Sequence, residues 1–161
     1  MKALPRIIGL AGVAALVAAG TAGCAAGSHA GGPGIVTAGA YVQQPASTGQ
    51  ATVGYLDIRN NGAADQLVSV STSVGGTVAL RGPAGKDQSV VTMHTVRAIP
   101  LPADSTTQLI PNSYHLLITG AGAMHDGKDI QLTLKFAHAA SVTVYALVTN
   151  PQNGGSSYFI N

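Results

Sequence analysis

From Ile35 onward, apolar and polar residues alternate in short runs separated by clusters of Gly, Asn, Pro and Asp. In Asp129–Phe136, Ile130, Leu132, Leu134 and Phe136 fall on one side, while Asp129, Gln131, Thr133 and Lys135 fall on the other. That period of two is the signature of a half-buried strand. In the run starting at Ser141, Val142, Val144 and Ala146 share a face and Tyr145 lies opposite. The same grammar predicts strands near Ile35–Val42, Ala51–Asn60, Asp65–Ser73, Thr77–Arg81, Ser89–Val96, Thr106–Ile110, Tyr114–Thr119, Asp129–Phe136 and Ser141–Thr149. Asn60-Asn61-Gly62 tolerates left-handed backbone angles and predicts a hairpin turn, and Asp126-Gly127 is a second such signal. Pro83, Pro100, Pro102 and Pro111 fall at strand ends or links, where a missing N–H costs little. No helical period appears downstream of the N-terminal segment. Eight or nine short strands without helices predict an all-β fold, an antiparallel β-sandwich.

The two ends of the chain have a different character. Lys2 and Arg6 precede an apolar run from Ile7 to Ala19, and Thr21-Ala22-Gly23-Cys24 places small residues before the only cysteine. This layout predicts a secretory leader, its apolar run being short for a membrane-spanning helix. It resembles a bacterial lipoprotein signal, with Thr21 departing from the usual leucine. The resemblance implies cleavage before Cys24 and lipidation of Cys24 as the first mature residue. The other reading is an ordinary cleaved signal with an incidental cysteine. Residues 1–24 are thus expected to be the signal ending at the lipidated Cys. Residues 25–34 (AAGSHAGGPG, with His29) form a flexible tether, 35–149 the sandwich, and 150–161 a polar tail in which Tyr158-Phe159-Ile160 could dock back. The lipid would hold the domain on the outer face of the cell membrane.

Charge removes several function classes. The net charge of +2 belongs to Lys2 and Arg6. The remainder balances Arg59, Arg81, Arg97, Lys86, Lys128 and Lys135 against Asp57, Asp65, Asp87, Asp104, Asp126 and Asp129. No basic patch points to nucleic acid and no acidic cluster to calcium. The chain contains no glutamate, no paired carboxylate at a recognisable spacing and nothing that marks a nucleophile, so it reads as a non-enzyme without a small-molecule substrate.

The chemistry gathers in Val90–Leu117, which holds Met93, His94 and His115 on predicted strands. Thioether sulfur with imidazole nitrogen is a ligand set that suits Cu(I). Each residue also has a plainer reading: Met93 as core filler, His115 as an imidazole satisfied by a backbone carbonyl. On a straight strand His94 faces away from Met93 and joins it only across a bulge or at a strand end. Met124 and His125, in the glycine-rich link from Gly120 to Gly127, either fold over the site or form a surface loop. His138 is expected in a solvated turn.

Four stretches, Gly54-Tyr-Leu-Asp-Ile-Arg-Asn-Asn-Gly62 with Ala64-Asp65-Gln-Leu-Val68, Ile99-Pro-Leu-Pro-Ala103, Leu109-Ile-Pro-Asn-Ser-Tyr-His-Leu116, and Gly127 to Phe136, form a pattern. It resembles the PCu(A)C family of extracytoplasmic copper chaperones. The resemblance implies a cupredoxin/immunoglobulin-like sandwich that binds Cu(I) and delivers it to an acceptor protein, such as one in respiratory oxidase assembly. The family signature is a histidine, a methionine, then a histidine and a second methionine two residues apart. Met93 and His115, with twenty-one residues between them, match its middle pair. Arg81 stands where the first histidine is expected and Leu117 where the second methionine is expected. The resemblance therefore leaves Met93 and His115 as the metal candidates, with His94, Met124 and His125 as weaker ones. Two readings follow: a Cu(I) carrier with a reduced ligand set, or a degenerate paralogue that serves as a surface interaction module. A blue-copper electron carrier is excluded, because the domain contains no cysteine ligand.

Overall fold

A computed structural model describes residues 34–83 and 93–153. The expected leader, Cys24, His29 and most of the tether lie outside the described residues, as do residues 89–92 of the fifth expected strand and Tyr158-Phe159-Ile160. Ten strands follow in order: β1 Ile35–Gln43, β2 Thr52–Asn60, β3 Asp65–Thr72, β4 Thr77–Pro83, β5 Met93–Thr95, β6 Ile99–Leu101, β7 Ser105–Leu109, β8 His115–Thr119, β9 Asp129–Phe136 and β10 Val142–Thr149. The only helical element among the described residues is a 3-10 turn at Pro151–Asn153, at the start of the expected loose tail.

The strands form one sheet in the order β5-β4-β8-β2-β1-β10-β9-β3-β6, with β7 also paired to β2. β7 and β8 lie in tandem along β2: β7 pairs with Leu56 to Asn60 and β8 with Thr52 to Gly54. Residues 110–114 leave the sheet between them. The sheet curls on itself, so that the Thr107 hydroxyl of β7 donates to the Pro100 carbonyl of β6 (3.1 Å) and joins the far edge to the middle. The core fills the space so enclosed. Leu56, Ile58, Leu109, Leu116 and Ile118 from one half meet Leu67, Ile99, Leu101, Leu132, Leu134 and Val148 from the other, all essentially inaccessible. Each buried aliphatic side chain contributes roughly 1.5–3 kcal/mol. With one cysteine in the chain no internal disulfide adds to this, so the core carries the stability.

Three features depart from the expected pattern. β1 and β10 pair in parallel, Tyr41 opposite Leu147 and Val42 opposite Val148, within an otherwise antiparallel sheet. Alternation of side chains is the same in parallel and antiparallel strands, so hydrophobic patterning is blind to this pairing. β6 was expected to be a proline-bracketed link. Its proline is tolerated because β6 is an edge strand, and Ile99 and Leu101 point inward on either side of it. The third departure is Asn60-Asn61-Gly62, expected to close a hairpin. β2 and β3 do not pair; the segment carries the chain from one half of the sheet to the other. None of its three residues has a positive φ. Instead Asn60, 2 % exposed, works through its side chain. Its amide donates to the Ala63, Leu101 and Pro102 carbonyls, and its Oδ1 accepts the Gly62 N–H. One buried amide thus fastens the crossover to the end of β6.

The neighbouring Asp65 works in the same way on the other side. It is 8 % exposed, and its carboxylate accepts the backbone N–H groups of Gln66 (2.7 Å), His138 (3.0 Å) and Ala139 (2.8 Å). These bonds tie the start of β3 to the turn between β9 and β10. His138, expected as a solvated turn residue, is exposed as a side chain and contributes its N–H to this clamp.

Candidate metal-binding face

The site is built on the side of the sheet turned away from the core. In β8, Leu116 and Ile118 are buried inward, so His115 and Leu117 emerge on the opposite face. Register fixes their neighbours. Arg81 of β4 lies opposite both His115 and Thr95 of β5, and Leu117 lies between Val53 of β2 and Ala79 of β4. Met93 lies opposite Pro83, two residue pairs beyond the Thr95–Arg81 row and so on the same face. Met93, Arg81, His115 and Leu117 are all half-buried. His94 pairs with Gly82, is exposed, and alternates off the face that Met93 and Thr95 share.

Met93 and His115 thus share a face, on the two strands that flank β4. Two strand spacings and a two-residue offset separate their backbones by roughly 12 Å, so their side chains meet only by converging over β4 beside Arg81. Arg81 leans toward β5: Nη1 donates to the Thr95 hydroxyl (2.9 Å) and Nη2 to the Met93 carbonyl (2.7 Å). The guanidinium is therefore held on the Met93 side of the gap.

The His115 ring is fixed independently. Nδ1 lies 3.0 Å from the Ser113 carbonyl, which can only accept, so the proton of the neutral ring sits on Nδ1. The lone pair is left on Nε2, the arrangement in which an imidazole ligates metal. The segment 110–114 that supplies this carbonyl is seated by Tyr114. A Cβ on Gly82 would come within 2.6–2.7 Å of the Tyr114 ring and 3.3 Å of Val96, so glycine at 82 leaves the space into which the ring packs. Tyr55 flanks His115 on β2 with ring centroids 6.3 Å apart, and Tyr41 of β1 packs against Tyr55 at 5.1 Å with the two rings tilted by 40°. A bulge between Ala38 and Tyr41, with Gly39 at φ +59°, sets Tyr41 opposite Tyr55. Burial raises the pKa of both phenols, and that of Tyr55 rises further because Tyr41 is its neighbour. Sequence reasoning did not single out Tyr41, Tyr55 or Gly82. The only sign was the Tyr-His-Leu triplet, whose tyrosine is now seen to position the histidine's support.

Met124 and His125 lie elsewhere. Their loop follows the far end of β8, four residues along the strand from His115, where the Gln44 amide donates to the Met124 carbonyl (3.3 Å). Met124 is 5 % exposed and belongs to the hydrophobic core. Among the described residues no group of three His, Cys, Asp or Glu side chains is placed to hold an ion. Any metal on this face would thus depend on the mixed thioether–imidazole pair.

Residues 35–148 match the family described as "Putative lipoprotein LpqE-like". Several solved structures share the fold. The copper-bound PCuAC domain from PmoF2 superposes with a TM-score of 0.62 at 22% identity, over 73% of this chain and 94% of that one. The apo PCuAC domain from PmoF1 gives 0.62 at 23% identity, over 73% and 95%. CuI-DR1885 from Deinococcus radiodurans gives 0.58 at 22% identity, over 71% and 77%. No curated protein matches the chain. The match over residues 35–148 shows that this chain belongs to the LpqE-like family, and its curled all-β sheet has the cupredoxin-like sandwich fold of the PCuAC domains.

Proposed function

We propose that the protein is a lipid-anchored, extracytoplasmic Cu(I) carrier that holds the ion between Met93 Sδ and His115 Nε2 and passes it to an acceptor protein. The acceptor class is one that consumes copper in assembly of a respiratory oxidase. The observation that carries this reading is the 3.0 Å contact from His115 Nδ1 to the Ser113 carbonyl, which presents Nε2 as a ready donor on the face that Met93 shares. The ion is cargo, and ligand exchange moves it without covalent chemistry on the protein. Two neutral soft donors on one face make an open site, which suits hand-over better than storage. Two structural relatives were solved with copper, which supports the same reading.

A competition titration with a Cu(I) chelator tests it. The mature chain should withdraw one equivalent of Cu(I), and Met93→Ala and His115→Ala should each weaken that binding at least about tenfold, a change of about 1.4 kcal/mol. Equal binding by all three proteins would remove the pair as a site. The anchor is checked separately: Cys24→Ala should move the protein from the membrane fraction to the soluble fraction of cells, and an unchanged distribution would refute lipidation.

Arg81 favours a second reading. Its fixed positive charge sits in register with His115 and bonds to the backbone of Met93, and guanidinium does not deprotonate to become a ligand. In this reading the domain has lost copper and serves as a surface interaction module. It predicts no Cu(I) withdrawn in the same titration.

A further inference from the structure

Arg81 is also the residue that says what a copper ion on this face would still lack. Met93 and His115 are neutral donors, so Cu(I) between them keeps its full positive charge. The guanidinium adds a second positive charge alongside, held there by its bonds to the Met93 carbonyl and the Thr95 hydroxyl. Among the described residues, the nearest carboxylate on this face by register is Asp57, two residues beyond Tyr55 on β2 and two strands from Arg81. A dipositive, half-buried pair of charges with an open coordination position favours an anion in that position. Leu117, wedged between Val53 and Ala79, gives the position an apolar wall and supplies no donor of its own. A soft cation in such a setting selects a soft anion.

We propose that the third ligand of Cu(I) is a thiolate from outside the chain, carried by the partner that loads or unloads the ion, and that Arg81 selects it by charge. The inference rests on the carrier reading above. The step balances simply. The partner's thiol loses its proton to solvent, its sulfur bonds to Cu(I), and copper stays in the same oxidation state. Unloading then breaks the bonds to Met93 Sδ and His115 Nε2 and leaves the ion on the partner's sulfur. Toward the described residues Arg81 directs two of its five N–H donors, to the Thr95 hydroxyl and the Met93 carbonyl, and the rest of the fork is open toward an incoming anion on this side. Arg81 is a specificity residue in this scheme and not a ligand.

The test uses the mature chain carrying Cys24→Ala, so that no thiol of its own interferes. The protein is loaded with Cu(I) and titrated with 2-mercaptoethanol or with its S-methyl ether, and native mass spectrometry and the near-ultraviolet thiolate–copper band are followed. The expected result is a one-to-one-to-one adduct with the thiol only, half-formed at a concentration at least tenfold lower than in Arg81→Gln. Arg81→Lys, which keeps the charge, should stay within about threefold of the parent protein. Equal adduct formation in Arg81→Gln, or equal uptake of the thioether, overturns the inference while Met93-dependent Cu(I) binding stands. If the parent protein binds no Cu(I) with or without thiol, the carrier reading itself falls, and this inference with it.

Discussion

Arg81→His combined with Leu117→Met is expected to tighten Cu(I) binding by at least about a hundredfold, on the order of 2.7 kcal/mol. The reason is positional. Residue 81 is the cross-strand neighbour of residue 115, so a histidine there stands one strand spacing, about 4.8 Å, from His115 on the same face. Residue 117 is two along β8 from His115 and emerges on that face as well, between Val53 and Ala79. The double variant exchanges a repelling charge for an imidazole and an inert side chain for a thioether of similar volume, so four donors stand on one face. The cost to the fold is modest, because among the described residues Arg81 gives up its bonds to Thr95 and to the Met93 carbonyl at the sheet edge, roughly 1.5 kcal/mol each. Competition with a chelator reads the gain, and each single variant should fall between parent and double. Unchanged affinity in the double variant would mean that residues 81, 93, 115 and 117 do not converge, and the face would lose its claim to be a metal site of any kind.

How far the sequence foretold this face differs from residue to residue. The strands were legible because one side of each is buried: Ile130, Leu132, Leu134 and Phe136 of β9 are all inward, and Tyr145 stands 68 % exposed, opposite Ala146. β6 was hidden because three residues with Pro100 at their centre and Pro102 directly after them contain too little alternation to register. The parallel β1–β10 pair was invisible in principle, since pairing direction leaves no trace in a period of two. Met93 and His115 could be nominated from their residue types and spacing, but that they share a face depends on β4 lying between β5 and β8. That order is a property of the sheet and not of the interval. Tyr55 is the clearest omission. It sits in an alternating strand among core residues, yet it is on the outer face, buried at 7 % exposure outside the core cluster and beside His115. Asn60 misled because an Asn-Asn-Gly run serves equally well as a hairpin turn or as a side-chain latch. Only the partners, the Leu101 and Pro102 carbonyls some forty residues away, distinguish the two.

Asp65→Ala is expected to destabilise the domain by about 3 kcal/mol, more than any exposed substitution on the candidate face. Burial alone would raise the pKa of this carboxyl. The backbone N–H groups of Ala139, Gln66 and His138 outweigh that penalty, with the nearby His138 assisting, and hold the group below its ordinary value. Replacing the side chain by a methyl leaves three donors at the β3 start and the β9–β10 turn without their acceptor, and the turn would no longer be fastened to β3. The sign of the pH dependence follows from the depressed pKa. The carboxylate's stabilisation is fully present above the ordinary carboxylate range and is lost as pH falls through that range toward the lowered value. Urea titrations of the parent protein should therefore be flat near neutrality and show a falling midpoint below about pH 4. Asp65→Asn should be less stable at neutral pH and should lose most of that acid slope, because its amide does not titrate and one of its two terminal atoms now points a donor at other donors. Equal acid slopes in the parent and Asp65→Asn would mean that another group carries the pH dependence. Cu(I) affinity measured at neutral pH should be the same in Asp65→Asn as in the parent wherever the protein is folded, since the clamp and the Met93–His115 face lie in different parts of the sheet, joined to it through β3 and β9 in one case and through β4, β5 and β8 in the other.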